Sequence, residues 1–237
     1  MNISASLVKD YLACKRRAYY RVNVSGSAVS SDEALAGTVV HNTIQKYPKE
    51  DFAVLKSKAI EQLREYNRFL PEGLWKRINR CLSNYKSLSA AVNYSTARQE
   101  VYFSFPASRF STDSVVKSIN VTGRIDLIDE DLVIDWKTSE VVPEILSGDV
   151  QFIFYYEAYK QLYGKYPKNV LLASLTKNKL VKYEPIQALN KALLSKIVPE
   201  MVRVLSSVTP QPYGLFTGDC KYCQFQRTCE DDLHDTG

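Results

Sequence analysis

A chain of 237 residues, 45% of them hydrophobic, can bury a sizeable core, and its length lies between one large domain and two small ones. Its 31 Lys and Arg against 26 Asp and Glu leave a net charge of +5, which suits a polyanionic partner without identifying one. No stretch approaches the roughly 20 apolar residues of a membrane span. The amino terminus lacks the basic, apolar and small-residue zones of a signal peptide, and five cysteines do not look like a secreted disulfide scaffold. The expectation is a soluble, cytoplasmic protein with no membrane partner.

In chain order, SASLVKDYLACKRRAYYRV places Leu7, Tyr11, Leu12 and Ala18 near helical spacing behind Ser4 or Ser6 as N-cap, and predicts one helix. After the loop SGSAVSSD a second helix is expected from about Glu33 to Gln45. Two more follow from Phe52 to Leu70 and from Gly73 to Tyr94, separated by PEG. From Arg98 the period changes to two, and QEVYFSF, INVTGRIDLI and DLVIDWKT read as three successive strands. GDVQFIFYYEAYKQLYG returns to helical spacing and stops at Gly164. NVLLASLTKNKLVKYEPI reads as two strands joined at Lys177 and Asn178, and ALNKALLSKIVPEMVRVLSSV as a last helix kinked by Pro199. The order implies an α/β or α+β fold, a sheet with a crossover helix after its third strand.

The chemistry concentrates in the second and third strands. Residues two apart in a strand share a face, so Asp135 and Lys137 point one way while Ile134 and Trp136 point the other. A hairpin turning through Glu130 and Asp131, or through residues 129–132, sets Asp126 directly opposite Asp135; a three-residue loop breaks that alignment unless a bulge restores it. Two facing carboxylates repel, and burial without a partner forces one to hold a proton. A hard divalent cation such as magnesium or manganese removes the conflict, and Lys137 beside it could position water and stabilise charge on a phosphate. The alternative is a solvated hairpin in which Lys137 neutralises Asp135 in a surface ion pair.

Asp126, eight residues, then Asp135-Trp136-Lys137 resembles the split PD-(D/E)xK nuclease motif, and GRIDLIDEDLVIDWKTSE is close to its form in RecB-type nucleases. GTVVH supplies Gly37-x-x-x-His41, similar to the upstream histidine of that family. QFIFY supplies Gln151 and Tyr155, four apart on one helix face, similar to its Q-x-x-x-Y motif. The resemblance implies a restriction-endonuclease-like mixed central sheet flanked by helices. It also implies metal ligands at His41, Asp126, Asp135 and the Trp136 carbonyl, with Lys137, Gln151 and Tyr155 completing the catalytic set. No proline precedes Asp126, and Glu100 is a candidate extra acid near the site.

Cys220-x2-Cys223-x5-Cys229, with Cys14 far upstream, supplies four thiolates at a spacing that suits zinc or an iron-sulfur cluster equally. The resemblance selects a [4Fe-4S] cluster, because RecB-type nucleases of the AddB and CRISPR-adaptation kind carry one cysteine in the first helix and three at the end. Lys15 stands here where a proline is frequent. Cys81 falls outside the pattern and reads as a helix-core thiol. In KRRAYYR, Lys15, Arg16, Arg17, Tyr20 and Arg21 combine phosphate charge with stacking surface and read as a single-strand path.

The expected layout is a single nuclease domain over 1–237. It comprises an iron-sulfur module at 1–24 and 210–231, a helical region at 33–94 carrying His41, and a nuclease core at 98–208. The expected activity is that of a magnesium- or manganese-dependent exonuclease, preferring single-stranded DNA, with endonuclease activity not excluded. Its setting would be CRISPR spacer acquisition or DNA repair, with CRISPR adaptation proteins or a helicase as partners and an open oligomeric state. The competing classes are a non-catalytic nucleic-acid-binding subunit on a nuclease scaffold and a zinc-stapled protein of unrelated function.

Overall fold

The computed structural model describes residues 1–24, 31–66, 70–144, 146–207, 220 and 223–234. Part of the loop after the opening helix, and most of the carboxyl-terminal segment 210–231 expected to join the cysteine module, lie outside these. The elements are β1 (Asn2–Ile3), α1 (Ala5–Ala13), α2 (Lys15–Asn23), α3 (Asp32–Lys46), α4 (Phe52–Glu65), α5 (Glu72–Leu88), β2 (Arg98–Pro106), β3 (Asn120–Asp129), β4 (Leu132–Lys137), α6 (Val150–Tyr163), β5 (Asn169–Ser174), β6 (Lys179–Lys182), α7 (Gln187–Leu205) and α8 (Gln226–His234).

The mixed sheet runs β1-β3-β4-β5-β6, with β2 also paired to β3. β3 and β4 are antiparallel, β4 and β5 parallel through the crossover helix α6, and β5 and β6 antiparallel. This is the mixed sheet flanked by helices that the resemblance implied, with the crossover helix that the order of elements implied. The chain divides into two compact units, one of residues 1–28, 104–123 and 186–237, the other of residues 29–103 and 124–185.

In the second unit, α3, α4 and α5 cover one face of the sheet. Val39 and Val40 of α3, Leu55 of α4 and Leu82 and Tyr85 of α5 close a core over Leu127, Ile134 and Trp136, with the Tyr85 and Trp136 rings edge to face at 5.2 Å. Each fully buried aliphatic side chain contributes about 1.5–3 kcal/mol, so this layer fixes the plane in which β3 and β4 lie. Cys81 belongs to the same core, as expected of a helix-core thiol, and burial pushes its pKa to about 11. The opposite face of β4 meets α6, where Phe152 stacks on Tyr183 and Tyr155 meets Phe103 edge on.

The helices start where local chemistry provides an acceptor for orphan N–H groups. Ser31 accepts from the Ala34 N–H at 3.2 Å, Asp51 from Val54 at 2.9 Å and Asp149 from Gln151 at 2.8 Å. Gly164 ends α6 with φ 74°, a left-handed conformation that glycine adopts without penalty.

In the first unit the opening segment is two helices, not the single one expected. Cys14 is extended, at φ −159° and ψ 115°. Its N–H closes α1 on the Asp10 carbonyl at 2.8 Å, while its side chain makes no capping bond to α2. α7 runs through Pro199 without a break in its helical assignment.

Candidate active site

The hairpin turns through Glu130 and Asp131. Leu127 pairs with Ile134, Ile128 with Val133 and Asp129 with Leu132, and Glu130 takes φ 47°, the positive value that a two-residue hairpin turn needs at its first position. Continued by one residue, this register sets Asp126 opposite Asp135. The Trp136 N–H donates to Asp126 Oδ2 at 2.8 Å, so the Asp126 carboxylate reaches the backbone of the facing strand.

Asp135 is only 1% exposed, and its two oxygens have different surroundings. Oδ1 accepts from Gln151 Nε2 at 2.8 Å and lies 3.0 Å from the Tyr155 hydroxyl. Oδ2 faces Lys137 Nζ at 2.8 Å yet takes no well-aligned hydrogen bond from any described residue. Gln151 is oriented by charge, its Oε1 accepting from Lys137 Nζ at 3.2 Å while its Nε2 serves Asp135 and the Tyr155 oxygen; the reverse orientation would set N–H against ammonium and carbonyl against carboxylate. The single Tyr155 proton is shared between Asp135 Oδ1 and the Arg124 carbonyl at 2.9 Å.

His41 arrives from α3 and brings Nδ1 to 3.9 Å from Asp126 Oδ2. A side-chain carbon added at Gly37, one turn earlier, would lie 3.2 Å from Thr138 Oγ1. Gly37 therefore lets α3 approach the residue that follows Lys137, and this approach brings His41 to the acids.

The electrostatics are those of a site with surplus negative charge. Burial, followed by the neighbouring Asp135, holds the Asp126 pKa well above the carboxylate range, against the pull of Lys137 and the Trp136 N–H. Burial also lowers the His41 pKa, outweighing Asp135, so the imidazole is neutral at pH 7 and its nitrogen can ligate. For Lys137 burial acts downward, but Asp135 and Asp126 prevail and the pKa is raised. Lys137 is thus an ammonium at neutral pH, a donor and not a proton acceptor. Burial and the two acids likewise keep the Tyr155 phenol protonated.

Glu100 adds a third acid, its charge acting on both His41 and Asp126. It has φ 51° within β2 and its Oε2 lies 3.3 Å from Arg124 Nη1. Asp149 caps α6 through the Gln151 N–H and acts on Lys137 from the same turn.

Two fixed carboxylates, a neutral imidazole and a buried carboxylate oxygen without an aligned donor form a donor set suited to a hard divalent cation. Among the described residues no three or more His, Cys, Asp or Glu side chains lie grouped so as to hold a metal ion by themselves. Among known proteins, the model of the PD-(D/E)XK nuclease superfamily matches residues 2–230. The chain belongs to that superfamily. The chain matches no curated protein. A solved structure titled "Crystal structure of SSO0001" shares 17% identity over 94% of each chain with a TM-score of 0.41.

The remaining expected site residues of the nuclease lie in the first unit. Cys14, Cys220, Cys223 and Cys229 are all of intermediate exposure, and the Phe225 ring lies 5.9 Å from Tyr20 of α2. The segment between Cys223 and Cys229 therefore packs on the helix that Cys14 opens. Of the single-strand path expected on α2, packing removes Arg16 and Tyr20 from the surface. Tyr20 is 2% and Arg16 6% exposed, and Arg16 Nη2 donates to the Tyr20 hydroxyl at 2.6 Å. Arg17 and Arg21 both pair with Asp10, and Lys15 pairs with Glu200 at 2.5 Å. A base finds no open ring at Tyr20, while Lys15 and Arg21 keep side-chain exposures of 50% and 42%.

Proposed function

We propose that this PD-(D/E)xK protein is a magnesium- or manganese-dependent DNA nuclease in which His41, Asp126, Asp135 and the Trp136 carbonyl hold the metal. The observation that carries the reading is the facing pair Asp126 and Asp135 with Lys137 ion-paired to one of them at 2.8 Å. A bound divalent ion supplies Lewis-acid stabilisation of the phosphodiester and lowers the pKa of a coordinated water. Lys137, held as an ammonium, would orient the attacking water and offset charge developing on the phosphate. Gln151 and Tyr155 hold Asp135 in place through Oδ1, leaving Oδ2 toward Lys137. The mode we propose is exonuclease action on single strands, with endonuclease action as a second mode. The cellular setting we propose is spacer acquisition or DNA repair, alongside CRISPR adaptation proteins or a helicase.

For the four cysteines we propose a [4Fe-4S] cluster that clips the start of α2 to the carboxyl-terminal segment. The packing of Phe225 against Tyr20 supports this, because it brings the chain between two of the cysteines against α2. Closing a loop of this length removes much freedom from the unfolded chain.

The test is metal-dependent degradation of an end-labelled single strand by the full chain, with Asp126→Ala, Asp135→Ala and Lys137→Ala compared at matched folding. Loss of cleavage in all three supports the assignment, and full activity in any two overturns it. Iron and sulfide analysis after anaerobic purification decides the cluster, and colourless protein with bound zinc overturns it.

A further inference from the structure

Just beyond the catalytic lysine the structure gathers cations from two separate segments around one acid on a third. Glu140, in the turn after β4, receives Arg80 from α5 on Oε1, and Lys177 from the β5–β6 turn on Oε2 at 3.0 Å. The charge of Arg77, one turn before Arg80, acts on the same carboxylate. Among the described residues Arg77 forms no ion pair, and its guanidinium donates to the Glu33 carbonyl at a long 3.4 Å. Three cations therefore face one carboxylate, an excess that a purely structural tie does not need.

The cluster is held on a rigid frame. The Thr176 hydroxyl donates to the Ser139 carbonyl at 2.6 Å, Asn84 Nδ2 to the Leu175 carbonyl at 2.7 Å, and the Leu175 N–H to the Lys137 carbonyl at 2.8 Å. Glu140 lies three residues past Lys137, which is at most about 11 Å of extended chain. The α5 helix belongs to the segment between His41 and Glu100, to which none of the nuclease motifs extends.

We propose that Arg77, Arg80 and Lys177 form a seat for a backbone phosphate of the nucleic acid next to the scissile position, and that Glu140 occupies this seat until the strand displaces it. This rests on the nuclease reading and adds to it how the strand is held. A carboxylate and a phosphate offer the same oxygen acceptors to a guanidinium, so the strand replaces one anion by another without leaving the cations bare. Contacts of this kind position the strand and carry no sequence information.

The experiment measures binding by fluorescence anisotropy of an end-labelled short single strand and its duplex to the full chain. EDTA is present so that nothing is cleaved; salt is titrated and the melting temperature of every variant is followed in parallel. Arg80→Gln, Lys177→Gln and Arg77→Gln should each weaken binding several-fold and flatten the salt dependence by about 0.7 per lost contact on the single strand. Glu140→Gln should tighten binding several-fold. If the unsubstituted protein binds but no variant changes affinity or salt slope, the cluster is a structural tie and the seat is wrong while the nuclease reading stands. Tightening by Glu140→Gln together with weakening by the cation variants supports the seat. Absence of any binding by the unsubstituted protein overturns the seat alone, because the nuclease reading is decided by cleavage with the metal present.

Discussion

The Trp136 N–H and Asp126 Oδ2 are 2.8 Å apart, so the acid on β3 is held by the strand that carries Asp135. Asp126→Asn keeps an acceptor for this N–H and removes only the charge. Cleavage by Asp126→Asn, Asp135→Asn and Lys137→Met should fall by about two to four powers of ten with the fold intact, the range seen when a group acting in the transition state is removed. A single-turnover assay of end-labelled DNA beside circular dichroism checks this.

The raised pKa of Asp126 gives a stability signature with a definite sign. Between the unfolded carboxylate value, about 3.9, and the raised folded value, the native state binds more protons than the unfolded one. Metal-free stability is therefore lost as pH rises through this interval. The melting temperature of Asp126→Asn relative to the parent should be smallest at acid pH, grow as pH rises, and level above the folded pKa. Manganese should raise the parent's melting temperature and leave the variant's nearly unchanged, since a ligand stabilises only the state that binds it. A thermal-shift series over pH, with and without manganese, decides both points.

Gly37→Ala would place a carbon 3.2 Å from Thr138 Oγ1, and α3 must move by a few tenths of an ångström to relieve it. Because His41 lies one turn further along α3, manganese affinity should fall and Thr138→Ala should restore it in the double variant. Calorimetric titration of the four proteins measures the coupling.

Tyr155→Phe removes the hydroxyl that bridges Asp135, Gln151 and the Arg124 carbonyl. Leaving such buried partners unpaired costs about 1–3 kcal/mol, to be read from chemical denaturation. Turnover should fall less than for Asp135→Asn, because Lys137 still faces Asp135.

For the cysteines, serine at Cys14, Cys220, Cys223 or Cys229 should remove iron and lower the melting temperature together. Serine at Cys81 should destabilise the core in which it is buried and leave iron content unchanged. Iron analysis of the five variants separates the two classes.

The hairpin was legible because strand alternation is binary. Once the turn is two residues, Asp126 must face Asp135, and Trp136 must enter the core. Gln151 and Tyr155 were legible only through the resemblance to the Q-x-x-x-Y motif, and their spacing of four then sets them on one helix face. Periodicity does not say which face of α2 is buried, and Arg16 and Tyr20, also four apart, bond to each other inside the protein. The break at Cys14 carries neither glycine nor proline. β1 has two residues, too few for any pattern. Arg77, Arg80, Glu140 and Lys177 come from three distant segments, and only the packing of α5 on the sheet brings them together.

The Gln151 side chain touches Lys137 and Asp135 on β4 and Tyr155 on its own helix through the two ends of one amide. That amide works as a ruler between α6 and β4. Sliding the helix along its axis by one residue, about 1.5 Å, would release the acid and the ammonium in a single step. The axial position of α6 is therefore tied to the acid and the ammonium of β4 through one side chain.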